Sequence, residues 1–274
     1  MQSTFKSHKN RVDYTYHRNG IRKMEKWWGA NMDQEPKKQP KKRGRRWLYR
    51  TLFAVLIVIS LGLIFNEQIK NWMVTSYQPK VTAKSVKKNE KKKANFDFRS
   101  AKSLNFQTVA KARMNSKKIH VVGEILVPKS GIHLTIGKGV SNTTLALAAG
   151  TLRANQKMGH GNYPLAGHHM IKKNVLFSPL YYKTKVGDNI YLTNMKKIYR
   201  YKVYRRTFIA ATRVDVVNQT KANIVTLVTC DATGAGRLMI RGKLTKTMTY
   251  AKAPKAIQKG FAAKFNNHNV FEGY

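Results

Sequence analysis

Acidic side chains and cysteine are the scarce residues of this sequence. Its 274 residues hold 12 Asp and Glu against 53 Lys and Arg, and a single cysteine, Cys230. One cysteine excludes an intramolecular disulfide, so no covalent staple fixes the fold. Cys230 is then an inert buried residue, an intermolecular bridge or a nucleophile. Internal repeats are absent, and low complexity is confined to charged arms. Long uncharged runs are equally scarce: one stretch, "TLFAVLIVISLGLIF" at 51–65, goes fifteen residues without a charge, and no second hydrophobic segment follows Phe265.

What is present in excess is positive charge. The formal net charge of +41 directs the chain toward polyanions: nucleic acid, anionic lipid or an anionic wall polymer. The apolar run narrows that choice. Counted from Trp47 to Phe65 it gives nineteen residues, about 28 Å of helix at about 1.5 Å per residue, close to the ~30 Å hydrocarbon core. Trp47 and Tyr49 are placed as interfacial aromatics, and Arg50 can snorkel to the headgroups. Fifteen Lys and Arg against four Asp and Glu precede residue 51, so the positive-inside rule keeps the N-terminus cytoplasmic. A cleaved signal peptide is disfavoured, because its basic region would be 46 residues long and no A-x-A site follows the run.

Four segments follow. Residues 1–46 read as a basic cytoplasmic arm, largely disordered, in which "YTYHRNGIRKMEKWWGANM" could lie as an interfacial helix against anionic inner-leaflet lipid. Residues 47–65 are the transmembrane anchor. Residues 66–94, with "KSVKKNEKKK", read as an extended basic stalk without fixed structure. Residues 95–274 form the folded domain. There, helical spacing of Phe98, Ala101, Leu104 and Val109 precedes short β-rich runs at 119–128, 132–137, 163–170, 188–194, 198–210, 223–230 and 237–248, which predict a mainly β barrel or sandwich. The stretch 143–152 is a helix or an apolar connector. Residues 51–274 carry 38 Lys and Arg against 8 Asp and Glu. Outside a cell little nucleic acid is met, so wall polymers and lipid headgroups are the expected anions, set against a merely solvated basic surface.

A lone thiol becomes a catalyst only as a thiolate held near a base or a cation. "GHGNYPLAGHHM" supplies His160, His168 and His169, with the histidine pair at a strand end. "RLMIRGKL" supplies Arg237 and Arg241, whose rigid donor forks suit an oxyanion or a peptide carbonyl. A metal site from His160, His168, His169 and Cys230 matches no familiar zinc spacing, and none is expected.

These motifs in this order resemble the sortases of Gram-positive bacteria, class A most closely. "TLVTC" is similar to the family's TLxTC signature, "LAGHH" to its strand-end histidine motif, and "RLMIRGKL" to the strand carrying its arginine. "VGEILVPKSGIHLTIGKGVSN", "LFSPLYYKTKVGDNIYLT" and "RVDVV" also resemble the family, and the resemblance covers roughly 96–265. It implies a closed barrel of about eight strands with short helices behind one N-terminal transmembrane helix. It implies a membrane-anchored cysteine transpeptidase that cuts an LPxTG-like sorting signal between Thr and Gly through a thioacyl-enzyme. Cys230 would be the nucleophile, His168 the acid and base, Arg237 the oxyanion partner, and His169 a bystander. The acceptor would be an amine of the peptidoglycan precursor lipid II, with no cofactor. Ala166, Val228, Val214 and Val216 would wall the substrate site, with Thr229 beside the thiol.

Two departures from the family bear on this. Some class A members bind calcium through acidic residues, but 141–170 has no Asp or Glu and 205–229 has only Asp215, so no calcium site is expected. An Asp-Pro-aromatic lid is missing before the barrel, which argues against the pilin-polymerising class. Two other functions stay open: a membrane-tethered cysteine peptidase that passes the acyl group to water, and a non-catalytic basic module that binds a wall polymer.

Overall fold

In the computed structural model the structure describes residues 43–98, 103–230 and 234–267. The expected interfacial helix at 14–32 lies outside them. Two units are distinguished, residues 1–59 and 60–274. Helix α1, Arg43–Ile64, is 22 residues long and its apolar side chains are exposed, so length and composition suit it to crossing a membrane.

Eight strands close into a barrel: β1 (Val121–Val127), β2 (Ile132–Gly137), β3 (Ala149–Thr151), β4 (Asn162–Ala166), β5 (Asn189–Thr193), β6 (Lys197–Ala210), β7 (Ile224–Cys230) and β8 (Gly236–Thr249). Their order around the wall is β1-β2-β3-β4-β7-β8-β6-β5. Pairings are antiparallel except β2 with β3 and β4 with β7. Closure leaves no free sheet edge, and alternate residues fill the interior. The main core gathers Ile125, Leu134, Ile136, Leu165, Tyr201, Val225, Leu227, Leu238 and Ile240 from six strands. The expectation of a mainly β barrel of about eight strands with short helices holds.

The 66–94 segment differs from the extended stalk that its lysines suggest. It forms α2 (Asn66–Thr75) and α3 (Ala83–Glu90). Val74, Tyr77 and Val86 are buried, and Thr82 and Ser85 make a reciprocal capping box at the start of α3. Asn89 Nδ2 donates to the Val121 carbonyl at 2.9 Å, which holds α3 against β1. A few buried apolar side chains and one cap outweigh the solvated lysines, because lysines on a helix's outer face cost its packing nothing.

Four further helices complete the fold. Only α4, Phe106–Met114, realises the helical spacing of 96–113, of which 99–102 lie outside the described residues. The open stretch 143–152 divides into α5 (Asn142–Leu147) and β3. Helix α6 (Ser178–Tyr182) follows β4, and α7 (Lys255–Ala262) packs Ile257 and Phe261 beside Leu126, Tyr191 and Ile198. Under that C-terminal cover His133 and Glu124 are buried together, Nε2 to Oε2 3.2 Å.

Because α2 and α3 are packed, their lysine-rich sequence should resist trypsin in the folded protein. Replacing Val86 by Asp, which buries a carboxylate without a partner, should release α3 and speed cleavage within 84–93 at least about tenfold. Rapid cleavage of the unsubstituted chain there would restore the free stalk.

Candidate active site

The register of three neighbouring strands brings together the residues that the motifs single out. Strand β7 is the shared member: it pairs in parallel with β4 and antiparallel with β8. Ala166 lies opposite Val228, and the Gly167 amide still donates to the Val228 carbonyl at 3.2 Å. The chain therefore leaves β4 in step with β7, which sets His168 level with Cys230. On the other side Cys230 pairs directly with Arg237. Adjacent positions in register project to the same face of a sheet. Cys230 and Arg237 accordingly share one face at a rim of the barrel, and His168 follows two residues beyond the end of β4 at the same rim.

That face is the outer one. Val225 and Leu227 belong to the interior core, so alternation sends Thr226, Val228 and Cys230 outward. Val228 packs with Val216 and Met239, with Ile209 and Val217 alongside. Ala166, also outward, packs with Val140 and Leu145 next to Leu152. Val214, by contrast, stands 75% exposed at the lip of the Val214–Val217 turn. These four residues flank the outer strip leading to the thiol. Thr229 does not: alternation turns it to the core side, opposite Leu238, where its hydroxyl is buried without a hydrogen-bond partner among the described residues.

Each polar group has a local cause for its position. Gly167 lies so close to Phe177 that a Cβ there would sit 2.6 Å from the ring. Its lack of a side chain lets the chain pass over Phe177 and deliver His168. The His168 carbonyl accepts from the Phe177 amide at 3.1 Å, which fixes the backbone. Burial lowers the His168 pKa from 6.5 to about 4, so its imidazole is neutral at neutral pH and ready to accept a proton. His168 makes no ion pair among the described residues. His169 lies in an aromatic wall, stacked on Tyr181 with ring centroids 5.2 Å apart. Cys230 is half-buried. The Arg237 guanidinium donates through Nη1 to the carbonyls of Gly234 (2.9 Å) and Gly236 (2.8 Å), which folds it back on the start of β8.

Sequence reasoning missed a latch beneath the strip. Asn162, fully buried at the start of β4, donates both Nδ2 hydrogens, to Val216 O at 3.0 Å and Asn218 O at 2.9 Å. Its Oδ1 accepts from Thr226 Oγ1 at 2.8 Å. Arg241, four residues beyond Arg237, donates Nη2 to Val216 O at 3.2 Å. The second arginine thus holds the turn that Arg237 does not reach. An asparagine opening a strand is poorly suited to the ladder, and that misfit is the signal that could have exposed it. His160 lies apart from the thiol, beside the start of β4, where it makes an isolated bridge with Lys157. Among the described residues no group of three or more His, Cys, Asp or Glu side chains is gathered as a metal site would require.

The chain is similar to known proteins in sequence and in fold. A family model described as "Sortase domain" matches residues 125–245. Sortase A of Streptococcus agalactiae serotype III is 36% identical, over 82% of this chain and 94% of that protein. Sortase A of Listeria monocytogenes serovar 1/2a is 39% identical, over 75% of this chain and 95% of its own. Among solved structures, sortase C-3 of Streptococcus pneumoniae aligns with a TM-score of 0.50 at 20% identity, over 66% of this chain and 91% of that one, a likeness of fold alone.

Two measurements check the site. Asn162→Ala strands the Thr226 hydroxyl and the Asn218 carbonyl and leaves Val216 O to Arg241 alone; it should lower stability by about 2 kcal/mol in denaturant titration, and a loss under about 0.5 kcal/mol would remove the latch. His168 binds its proton more weakly folded than unfolded. Between about pH 6.5 and 4 the unfolded chain takes up a proton that the folded chain does not, so this contribution to stability is full above 6.5 and falls as pH drops. Melting curves across that window should flatten in His168→Gln; an unchanged slope would contradict the lowered pKa of the half-buried imidazole.

Proposed function

The chain belongs to the sortase family, class A, whose members are cell-wall sorting transpeptidases, and from that premise we propose how its residues carry the reaction. The substrate is a surface protein ending in an LPxTG-like signal, and the acceptor is an amine of a peptidoglycan precursor such as lipid II. Helix α1 is the single membrane span, with the N-terminus cytoplasmic and the barrel facing the wall. Tethering enzyme, substrate and acceptor to one membrane surface raises their effective concentration. The observation that supports this most directly is the placement of His168, Cys230 and Arg237 at one rim.

In the first half-reaction Cys230 Sγ attacks the threonine carbonyl carbon and its proton passes to the neutral His168. Negative charge develops on the carbonyl oxygen, and Arg237 swings from the Gly234 and Gly236 carbonyls to meet it. The C–N bond then breaks, His168 returns the proton to the departing glycine amine, and a thioester remains on Cys230. In the second half-reaction the acceptor amine attacks the thioester carbonyl, giving its proton to His168, which passes it to the leaving thiolate. One amide is exchanged for another, so the cycle needs no oxidant, metal or nucleotide.

The strip below the thiol supplies the apolar contacts for the signal's leucine and proline. Val216 and Val228 form its packed floor, Val214 its exposed lip, and Ala166 its far side. Thr229 acts from the core side by packing behind Cys230. The excess of positive charge makes anionic wall polymers a further partner.

Mass spectrometry of the protein after incubation with an LPxTG peptide should show a thioacyl adduct on Cys230, absent from Cys230→Ala. With an added glycine-type amine at saturation, transfer product should dominate; persistent hydrolysis would make the enzyme a peptidase. Arg237→Ala should lower kcat/KM by about 10²–10³-fold, the usual loss of one oxyanion donor. If Arg241→Ala costs more than Arg237→Ala, the oxyanion role has been given to the wrong arginine.

A further inference from the structure

The rim of the barrel opposite the thiol carries a second built feature. A cavity of about 670 Å³ opens where β4 begins, between the 153–161 loop, the C-terminal end of α3 and the residues just after β2 and β5. Its size lies within the range usual for small-ligand sites. Its lining residue on β4, Tyr163, comes five residues before His168, about 16 Å along an extended chain at about 3.3 Å per residue. The site is therefore distinct from the catalytic rim.

The loop that forms one wall is held in place from within. Met158 is buried in the barrel core, and the Gly159 amide donates to the Tyr201 hydroxyl at 2.9 Å. Gly159 has φ +82°, and a Cβ there would meet the Tyr199 ring at 2.6 Å, so only glycine lets the loop lie on that ring. Gln156 accepts from the Arg153 amide at 2.8 Å and donates to the Pro164 carbonyl at 3.0 Å. Such a wall exists before any ligand arrives.

The lining is cationic and aromatic together. Lys138, Arg153 and Lys157 stand around the opening with Glu90 as the single carboxylate. Tyr163 and Tyr199 supply rings, and burial raises both hydroxyls, so they stay protonated as donors at neutral pH. Asn155 and Asn194 add amides. Cations around tyrosine rings and amides fit a ligand with one anionic group and several hydroxyls. A bare ion would use the cations and leave the rings and amides idle.

We propose that this cavity binds a polyol- or sugar-phosphate unit, a chemistry shared by anionic wall polymers and by glycerol-phosphate lipid headgroups. The inference stands apart from the transpeptidation reading, because none of its residues touches the catalytic strip's reacting groups. Binding there would hold the barrel against the anionic layer in which its substrates meet.

The test is isothermal titration of the full chain in neutral detergent with glycerol phosphate, inorganic phosphate and glycerol. Glycerol phosphate should bind saturably at one site, at least about tenfold tighter than inorganic phosphate, with glycerol silent. Lys138→Glu and Lys157→Glu should each weaken it about tenfold while melting normally. Lys246→Glu, the same charge change at a separate lysine cluster, should leave it within about twofold. Competition by phosphatidylglycerol vesicles would assign the unit to a lipid headgroup, and its absence to a soluble polymer; either upholds the site. Three results would overturn it: no saturable binding, equal loss in Lys246→Glu, or inorganic phosphate binding as tightly as glycerol phosphate, an adventitious ion only. Transfer activity of Lys157→Glu on a saturating peptide should be unchanged, so a failed binding test leaves the catalytic proposal standing.

Discussion

The parallel pairing of β4 with β7 is the constraint on which the site depends. These strands are joined through β5 and β6, so nothing local in sequence brings His168 near Cys230. Their hydrogen-bond register does it, and a slip of one residue would turn every outward side chain inward. Such a slip would bury Cys230 and expose Leu227. The hydrophobic alternation of β7, with Val225 and Leu227 in the core, thereby protects the chemistry as well as the fold. Asn162 pins the same pairing at its other end, since one buried amide ties β4 to Thr226 of β7 and to the turn above it.

The electrostatic setting follows from the scarcity of acids. An imidazole in many catalytic sites is oriented and charged by a carboxylate partner; here burial is the cause acting on His168, and it works in the opposite direction. A neutral imidazole is able to accept a proton, as the proposed first step asks of it. In the proposed reaction the permanently charged arginine meets the developing oxyanion. Arg237 is held by the carbonyls of Gly234 and Gly236, an engagement that solvates its charge with backbone dipoles.

Much of the barrel was legible because its long strands alternate and its turns are marked by glycine and proline. Strand β3 was not: Ala149, Gly150 and Thr151 are too few and too small to show a period, and the strand exists because β2 and β4 leave a gap between them. Helices α2 and α3 were hidden for the opposite reason, since lysines dominate the composition while a handful of apolar side chains decide the packing. Cys230, His168 and Arg237 were visible as motifs, yet their juxtaposition was visible only through resemblance. Thr229, chosen for its place beside the thiol, shows the limit of adjacency: in a strand the next residue faces the other way. Asn162 carried no motif and Arg241 stood only as an alternative to Arg237, and their hold on the Val214–Val217 turn appears once that turn is seen folded over the strip.

That turn also links the two rims of the barrel. Arg153, in the wall of the opposite cavity, donates Nη1 to the Val217 carbonyl at 3.4 Å, while Asn162 and Arg241 hold Val216 beside it. The turn is thus fastened by Arg153 and Asn162 from the cavity end of the barrel and by Arg241 from β8, and Val216 packs on Val228, two residues before Cys230. A closed barrel makes this arrangement economical, because one short strand such as β4 begins beside the cavity and ends just before His168. Two anchors of the turn, Asn162 and Arg241, spring from β4 and β8, which flank β7. Whatever displaces Arg153 would therefore reach the substrate strip through a single backbone carbonyl, with Asn162 opposing the movement. The strip's shape is set by that balance of donors on one exposed turn, and the barrel beneath it supplies the rigidity that makes the balance stable.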